Sequence, residues 1–422
     1  MTNTCSERIS MRQDALWIID RSIKENMPDK AVENALKCKD FSGNVILVAV
    51  GKAAWQMAYT AKQCLGRKIT AGIVLTKYHH VKGPIDGIVC FEGGHPVPDE
   101  NSIKGTQAAL KLVKDLSEKD NVLFLLSGGG SALFEDPLVS LAELQDINRQ
   151  LLESGADIVE INTIRKRLSR VKGGRFAQSC SPANVFSVIL NDVLGNSVDM
   201  IASGPACVDT STSQDAISIV EKYHMQISDK ARGLLQCETV KKLDNVECII
   251  SGSVHQLCEA AANACMELGY EPLILTDCLC CHASDAGLFL SSVARSHQNH
   301  EKPLAIIAGG ETTVVLTGNG KGGRNQELVL AAAEGIKGTE NIVIFSVGSD
   351  GTDGPTDAAG GIVDGFTASA IQGLGYSVHQ FLQNNDSYHA LELVNGLVFT
   401  GPTGTNVNDI SVALIRPCTA CE

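Results

Sequence analysis

The chain has 422 residues, of which 44% are hydrophobic and 20% are charged, and its formal net charge is −13. A single hydrophobic core rarely serves a chain of this length, so we expect two globular domains. The negative charge argues against nonspecific nucleic-acid binding, because neutralising phosphates takes a surplus of Lys and Arg on one face. A small anion is still an acceptable ligand, because a pocket of a few cations and backbone N–H groups can hold it.

The start of the chain does not resemble a targeting segment. Glu7 and Asp14 occur early, and the apolar stretch of a secretory signal peptide is missing. No apolar run reaches the roughly 18 residues that a membrane span requires. We therefore expect a cytoplasmic protein without a membrane partner, and mitochondrial targeting stays open.

Cysteine usage is typical of a reducing compartment. The 15 cysteines are scattered, and several lie in apolar, helix-like segments where a thiol acts as a small hydrophobic side chain. Two local groups lack the paired spacing of a zinc ribbon: Cys278, Cys280, Cys281 and His282, and Cys418 with Cys421. We do not expect zinc at either group, and their role stays open.

The first half of the chain alternates short apolar segments with helical patterns. The segments are NVILVAV at 44–50, AGIVLT at 71–76, NVLFLL at 121–126 and ANVFSVIL at 183–190. Short aliphatic runs that alternate with helices predict a parallel sheet covered by helices on both faces. We therefore predict an α/β domain.

A second series of apolar segments begins near residue 246 and includes VECIIS, EPLILT, PLAIIAGG, NIVIFSVG and ISVALI. The polar, helical stretch at 211–245 has no strong strand, and we interpret it as the crossing between two domains, 1–240 and 241–422. Ligands of open α/β sheets bind beyond the carboxyl ends of the strands. We therefore expect the active site in the cleft between the domains.

The segment GNGKGG at 318–323 matches the dinucleotide fingerprint G-x-G-x-x-G through Gly318, Gly320 and Gly323. It follows the apolar segment TTVVLT, which we predict to be a strand, and precedes a predicted helix, as a nicotinamide site requires. An NAD-dependent oxidoreductase of a small hydroxy acid is therefore the alternative function.

Two neighbouring features favour a phosphoryl group instead. Asp350, Asp353 and Asp357 share one glycine-rich turn, where carboxylates suit a hard cation or a general base. Lys321 and Arg324 flank the glycines, and two cations beside a helix N-terminus suit a mobile phosphoryl group. The P-loop pattern and the protein-kinase signatures do not occur in the chain.

Two segments that follow predicted strands are candidate anion sites. Lys52 opens a helix, where a cation is unfavourable unless an anion binds beside it, and a solvated lysine is the alternative. The segment SGGGS at 127–131 offers consecutive backbone N–H groups, as an anion nest does, and a plain tight turn is the alternative. Neither of its serines fits the nucleophile pattern G-x-S-x-G.

Other charged and polar residues have two interpretations each. For the basic segment we predict a mainly solvated helix face with one or two cations turned to the ligand; its members are Arg165, Lys166, Arg167, Arg170, Lys172 and Arg175. Asp192 and Glu311 end strands and either converge on the ligand or cap helices. Asn408 lies in a loop rich in donors and acceptors and either binds the ligand or completes a turn.

Taken together, the motifs resemble a known family. They are GKAAWQMA, GHPVPDENS, SGGGSALF, INTIRKRLSRVKGGRFA, ILNDVLGNSVDMIASGP, GGETTVVLTGNGKGGRNQEL, GSDGTDGPTDAAGGIVDG and TGPTGTNVND. From about residue 11 to 415 they are similar, in the same order, to those of the class II glycerate kinases, the glycerate 2-kinase family with a MOFRL domain. The resemblance implies phosphorylation of D-glycerate at its 2-hydroxyl by ATP with Mg²⁺, in serine and fructose catabolism. It also implies an N-terminal Rossmann-like domain and a C-terminal MOFRL domain.

The motif matches carry over Lys52, Asp192, Glu311, Arg324 and Asp350 as pocket residues. From their charges we expect Lys52 and Arg324 to stabilise the transferred phosphoryl group. Arg324 or an arginine of the basic segment is also the candidate to bind the glycerate carboxylate, a role that competes with the first. Asp192, also a catalytic candidate, and Glu311 are expected to hold Mg²⁺, and Asp350 or Asp353 is the candidate base. The remaining candidate binding residues are Ser127, Gly128, Gly129, Gly130, Ser131, Gly318, Gly320, Gly323, Asn325 and Asn408. D-glycerate and ATP are the expected partners, a homo-oligomer stays open, and a noncatalytic sensor of a sugar acid is a third hypothesis.

Overall fold

The computed structural model describes residues 2–37, 39–191 and 199–417. The chain divides into two compact units, which we call the N-terminal unit (Pro28–Ser251) and the C-terminal unit (Met1–Met27 with Gly252–Glu422). This division differs from the predicted boundary at residue 240. The first helix, α1 (Thr2–Glu25), belongs to the C-terminal unit.

Within the described residues, the N-terminal unit has six strands in one parallel sheet. The strands are β1 (Val45–Val50), β2 (Ile69–Lys77), β3 (Ile88–Gly93), β4 (Asn121–Leu126), β5 (Asn184–Ile189) and β6 (Val246–Ile250). Their order across the sheet is β3-β2-β1-β4-β5-β6. The segment at 246–250, which we expected to open the second domain, pairs with β5 instead and ends the first sheet.

Helices cover both faces of this sheet, because alternate residues of each strand point to opposite sides. From β1, Val45, Leu47 and Ala49 pack against α2 and α3, whereas the residues between them pack against α4 and α8. The helices are α2 (Pro28–Lys37), α3 (Ala54–Leu65), α4 (Glu100–Leu112), α5 (Gly130–Leu133), α6 (Leu141–Glu153), α7 (Ile158–Arg167), α8 (Arg175–Cys180), α9 (Ser213–Lys222) and α10 (Asp229–Leu235).

The polar stretch at 211–245 is not a crossing between domains. Its helices α9 and α10 pack through Ala216, Ile219 and Leu235 into a small core that α6 and α7 share. The stretch is rich in polar residues because this core buries only one face of each helix. It is therefore an integral part of the N-terminal unit.

The described part of the C-terminal unit forms a mixed sheet. Its strands are β7 (Glu271–Leu279), β8 (Leu304–Gly310), β9 (Ile342–Gly348), β10 (Gly360–Asp364), β11 (Leu397–Val398) and β12 (Asp409–Ile415), in the order β11-β10-β9-β12-β8-β7. β12 runs antiparallel to both β8 and β9, and Asp409 pairs with Gly310 and Gly348. The first residue of β12 therefore lies beside the last residues of β8 and β9.

Helix α1 completes the core of the C-terminal unit. Met11, Ala15, Ile18 and Ile19 follow helical spacing, and they are buried where α1 packs against helix α11 (Val254–Glu267) and strand β9. The remaining helices are α11 (Val254–Glu267), α12 (Ala283–Ser296), α13 (Arg324–Gly335), α14 (Thr367–Gly373), α15 (Val378–Gln383) and α16 (Ser387–Glu392).

The predicted α/β class and the two-domain organisation are confirmed, but the predicted strand at 312–317 is wrong. Apart from an isolated bridge at Thr313, these residues form no strand, and Leu316 is 81% exposed. An apolar run therefore does not make a strand here, because no neighbouring strand pairs with it. In the described part of the chain, no helix combines the length and apolarity needed to cross a membrane.

Candidate functional site

Lys52 lies between β1 and α3, directly beyond the carboxyl end of a fully buried strand. Its backbone N–H donates to the carbonyl of Gly128 at 2.9 Å, which joins it to the turn after β4. The ammonium group is half-buried and has neither an ion pair nor a hydrogen bond with any residue that the structure describes. An unpaired cation in this position favours an anionic ligand, because a partly buried charge needs a partner.

The serine hydroxyls of the predicted anion nest form hydrogen bonds within the protein. The hydroxyl of buried Ser127 accepts from the Ala53 N–H at 3.1 Å and contacts the Val50 carbonyl at 3.3 Å. Ser127 therefore fastens β4 to β1. Ser131 contacts the hydroxyl of Ser203 at 3.4 Å. Neither hydroxyl is arranged primarily for a ligand.

The glycines of the same turn have backbone N–H groups that form no hydrogen bond with the described residues. The backbone N–H groups of Gly128, Gly129 and Gly130 donate to none of the described residues. Gly129 has φ +85°, a left-handed conformation that favours glycine. The turn thus has the backbone character that the sequence predicts for an anion nest.

His95 is a site residue that the sequence analysis missed. A Cβ added to Gly129 would lie 3.0 Å from His95 Cδ2 and 3.3 Å from Lys52 Cγ, so these three residues are in contact range. Burial lowers the pKa of His95, and the charges of Lys52 and Lys77 lower it further. The imidazole beside Lys52 is therefore neutral at pH 7. The available signal was the segment GHPVPDENS, which follows β3 and which we cited without assigning a role to its histidine.

The basic segment does not form the solvated face that we predicted. Lys166, Arg167 and Lys172 are 3%, 0% and 0% exposed. Asp209 pairs with Lys166 at 3.2 Å and with Arg167 at 3.5 Å, while Glu135 pairs with Lys172. The acidic partners come from distant parts of the chain, so helical spacing alone could not reveal them.

Arg324 begins α13 and is the centre of an ionic cluster in the C-terminal unit. Its Nε and Nη2 contact the two carboxylate oxygens of Asp409 at 2.5 and 3.0 Å, and its Nη1 contacts Glu311 Oε1 at 3.1 Å. Burial raises the pKa of Asp409, and the ion pair with Arg324 opposes that rise. The sequence analysis noted no role for Asp409, although it follows Asn408 in the same motif.

Glu311 and Asn408 are tied to this cluster. Asn408 donates from Nδ2 to Glu311 Oε2 at 3.2 Å, and its own Oδ1 is buried without a partner among the described residues. Asn408 is 4% exposed, whereas Glu311 is exposed at the end of β8. Asn408 therefore orients Glu311, and Glu311 offers the more accessible carboxylate.

Asp353 caps helix α13 from inside the protein. Its carboxylate accepts the backbone N–H groups of Asn325 and Gln326 at 3.1 and 2.9 Å, and the Asn325 side chain at 3.2 Å. Burial raises the pKa of Asp353 to about 6, and these hydrogen bonds oppose the rise. Gly323 is needed at its position, because an added Cβ would lie 2.3 Å from Asp353 Cγ. Asp353 and Asn325, both buried, support the site rather than face a ligand.

Asp350 is more accessible than Asp353, the other candidate base of the acidic turn. One of its oxygens, Oδ1, accepts from the backbone N–H and the hydroxyl of Thr352 at 3.0 and 3.2 Å. Gly348 lies against both Asp350 Oδ1 and Asp409 Oδ1, which brings Asp350 beside the Arg324 cluster. Asp357 is exposed and bonds instead to the hydroxyl of Tyr388 at 2.8 Å.

The glycine loop at 318–323 is already engaged by the protein. The N–H of Gly318 donates to the Asn385 side chain at 2.9 Å, and the N–H of Gly320 donates to the Asn384 carbonyl at 2.8 Å. Lys321 donates its N–H to Asp386 at 3.0 Å. Since these donors are occupied and no strand precedes the loop, the structure removes the context that a dinucleotide fingerprint needs.

Only one of the two predicted metal ligands, Glu311, lies among the described residues. Asp192 lies outside the described residues. Elsewhere in the described ranges, no three His, Cys, Asp or Glu side chains are grouped to hold a metal ion. Cys278, Cys280 and Cys281 are exposed, and Cys418 and Cys421 lie outside the described residues.

These observations define an α/β protein. Among the described residues, its N-terminal unit offers a cation without a partner and backbone N–H donors without acceptors, and its C-terminal unit groups carboxylates around an arginine. Such groups suit a small, phosphate-bearing ligand.

Comparison with known proteins agrees with this class. The family model described as the MOFRL family matches residues 304–409, and that described as a domain of unknown function, DUF4147, matches residues 14–236. A D-glycerate 2-kinase of Thermotoga maritima is 51% identical over 412 residues, or 96% of this chain and 99% of the relative. A solved structure of glycerate kinase from the same organism matches with a TM-score of 0.93 over 96% of this chain and 99% of that chain.

Two further relatives extend the comparison. A glycerate 2-kinase of Pyrococcus horikoshii is 40% identical and covers 96% of this chain and 98% of its own length. A protein of Agrobacterium vitis, 37% identical over 96% of this chain and 95% of its own length, is provisionally named a hydroxypyruvate reductase. The chain belongs to the glycerate 2-kinase family with the MOFRL domain.

Proposed function

We propose that the protein transfers the γ-phosphoryl group of ATP to the 2-hydroxyl of D-glycerate and releases 2-phosphoglycerate and ADP. The observation that carries the proposal is 51% identity to a D-glycerate 2-kinase along nearly the whole of both chains. The unpaired Lys52 beside a turn with free N–H groups supports it independently, because phosphoryl transfer depends mainly on positioning and on stabilising charge.

Lys52 is the cation that we assign to the transferred phosphoryl group. Charge spreads over the equatorial phosphoryl oxygens in the transition state, and a positioned ammonium stabilises it. Gly128, Gly129 and Gly130 would bind polyphosphate oxygens through their N–H groups. His95, neutral because of burial and its cationic neighbours, adds no competing positive charge beside Lys52.

Asp350 is the carboxylate that we assign to the 2-hydroxyl proton. It retains an oxygen without a hydrogen bond to a described residue, whereas the oxygens of Asp353 are committed to the start of α13. A general base must reach the proton that it removes, so accessibility decides between the two, although burial raises the pKa of Asp353 to about 6. Asp353 then maintains the helix that carries Arg324.

Arg324 is the residue that we assign to the glycerate carboxylate. A guanidinium has five N–H donors, and three of them contact Asp409 and Glu311. The others remain for a ligand, and the side chain is 34% exposed. Its ion pairs fix the plane of the guanidinium, which favours bidentate recognition of a carboxylate.

Mg²⁺ enters the proposal with ATP. Magnesium is usually held by substrate phosphates, waters and one or two carboxylates rather than by a complete protein cage. Exposed Glu311 fits that limited role by its oxygen chemistry, although Arg324 and Asn408 compete for its oxygens. The ion would supply neutralisation of phosphate charge, and this chain would supply orientation of both substrates.

The rival function is reduction or oxidation of a hydroxy acid by a nicotinamide cofactor. Two parallel reactions separate it from the kinase: MgATP with D-glycerate, measured by ADP release, and NADH with hydroxypyruvate, measured by absorbance. We expect ADP release that requires D-glycerate and no oxidation of NADH. NADH oxidation without ADP release would replace the kinase by the oxidoreductase, and glycerate binding without either reaction would indicate a sensor.

A further inference from the structure

A large cavity lies inside the N-terminal unit, beside the turn at Gly129. Its volume is about 710 Å³. Pro96, Val97 and Pro98 form one part of its lining, and Leu152 and Ala132 contribute further apolar surface. The described residues that line it all belong to this unit.

The size and lining of the cavity do not suit glycerate alone. Pockets of roughly 300–1,000 Å³ hold ligands of drug size, and they combine apolar walls with a few polar groups. Glycerate is a three-carbon acid with no apolar face to cover prolines and a leucine. A nucleoside has a flat base that buries apolar surface and a ribose that forms hydrogen bonds.

The lining includes two charged side chains. Glu135 is 2% exposed, and its Oε1 has no hydrogen-bond partner among the described residues, although Lys172 pairs with its other oxygen. The guanidinium of half-buried Arg165 donates from Nε to Asn148 Oδ1 at 2.6 Å, and it also interacts electrostatically with Glu135. The cavity wall therefore carries both an acidic and a basic side chain beside its apolar surface.

One end of the cavity reaches the proposed reaction centre. Gly129 and His95 line the cavity, and the same Gly129 lies in contact range of His95 and Lys52. A molecule that filled the cavity would therefore extend toward the free N–H groups of Gly128 to Gly130 and toward the Lys52 ammonium.

We propose that this cavity binds the nucleoside of the phosphoryl donor, with the base against Pro96–Pro98 and Leu152. The phosphate chain then leaves past Gly129 toward Lys52, and Arg165 contributes positive charge along it. The inference rests on the proposed function, since it assumes that the phosphoryl donor is a nucleotide.

Leu152 offers a test that spares the fold. Its side chain is 63% exposed at the cavity wall, so Leu152→Glu should fold while placing a charge against the base. Leu374, 54% exposed in the C-terminal unit, supplies the matched control Leu374→Glu. Val97→Glu, at another lining position that is 55% exposed, is an independent second variant.

Calorimetric titration of the full chain with ADP and with inorganic tripolyphosphate, both with Mg²⁺, separates nucleoside contacts from phosphate contacts. We expect Leu152→Glu and Val97→Glu to weaken ADP binding about 10-fold, as for the loss of one apolar contact, and tripolyphosphate binding less than about twofold. Leu374→Glu should change neither. Unchanged ADP binding in both cavity variants, or equal weakening of both ligands, would overturn the proposal.

Turnover separates this inference from the proposed function. If the unaltered chain phosphorylates D-glycerate while both cavity variants keep its KM for ATP, the cavity assignment fails and the kinase stands. If ADP binds with the expected pattern but no phosphoglycerate forms, the kinase fails and the nucleoside site stands.

Discussion

The two groups of candidate site residues, one in each unit, present charge in opposite ways. In the N-terminal unit, Lys52 has no partner among the described residues and lies beside N–H groups that also lack acceptors. In the C-terminal unit, Arg324 is bonded to two carboxylates, and Asp353 accepts hydrogen bonds from the start of a helix. An uncompensated cation prepares a site for an incoming anion, whereas a compensated network fixes geometry. Substitutions in the first group should therefore act mainly on activity, and those in the second should also act on stability.

The largest effect is expected from Asp350, the proposed general base in the C-terminal unit. Asp350→Asn should lower turnover by at least about 10²-fold, because general base catalysis typically contributes about 10² to 10⁴. Steady-state kinetics would measure the loss. Asp357→Asn, at an exposed position in the same turn, is the matched control and should retain normal turnover. Full activity of Asp350→Asn would remove this residue from the chemistry.

Lys52→Ala should reduce turnover by about 10²- to 10³-fold, as for the loss of one group that stabilises transition-state charge. Its unfolding free energy should hardly change, because the ammonium has no partner among the described residues to lose. Lys104→Ala, at an exposed position on α4, controls for the loss of positive charge. A marked loss of stability in Lys52→Ala without loss of turnover would contradict the contrast between the units.

Arg324→Ala should lower the unfolding free energy by about 2 kcal/mol, because it leaves buried Asp409 without its partner. This loss of unfolding free energy is smaller than is usual for a buried ion pair, because the Arg324 side chain is 34% exposed and solvent screens part of the interaction. Urea unfolding would measure it. Adding Asp409→Asn should restore part of the loss. If the double variant is no more stable than Arg324→Ala, the buried charge is not the cause.

Asp353 should make stability depend on pH in a distinctive direction. Its pKa rises from 3.8 to about 6 on folding, so the folded protein holds this proton more tightly than the unfolded chain does. The resulting stabilisation is complete below about pH 4 and is lost as the pH rises through about 6. Asp353→Asn cannot titrate and should remove on the order of 2 kcal/mol from the difference between pH 4 and pH 7. Unfolding in urea at several pH values would test this, and an unchanged pH profile would contradict it.

Gly129→Ala should have the smallest effect, raising the KM for ATP about 10-fold through strain at φ +85° and crowding of His95 and Lys52. Gly155, with φ +72° and nothing within 4 Å of an added Cβ, provides a control for the backbone strain alone. Gly155→Ala should therefore leave KM unchanged. Equal KM values for both variants would mean that Gly129 does not shape the nucleotide site.

Much of the fold could be predicted because the central strands are continuous apolar runs. Residues 45–50 and 121–126 can be recognised as strands from the sequence alone, because strands with both faces buried are continuous apolar runs. Pairing could not be predicted: 246–250 joined the first sheet and α1 joined the C-terminal unit. The segment at 312–317 had the composition of a strand but no neighbour to pair with.

The candidate site was predictable where strand ends define it and unpredictable where burial does. Lys52 and the turn at 128–130 follow directly from the strand-end rule. Asp350 and Asp353 are chemically alike in the sequence, and only burial and hydrogen bonding distinguish the accessible carboxylate from the helix cap. The sequence could not assign roles to Asp409 and His95, because their contacts are with residues far away in the chain.

The most direct test of the central claim is a ³¹P NMR time course of the purified protein with MgATP and D-glycerate, repeated with L-glycerate. The account predicts that ADP signals grow together with a phosphomonoester doublet, as expected for phosphate on the 2-hydroxyl, with the D-isomer only. A triplet would place the phosphate on the 3-hydroxyl and contradict the assigned acceptor. The absence of any phosphomonoester would contradict the kinase itself.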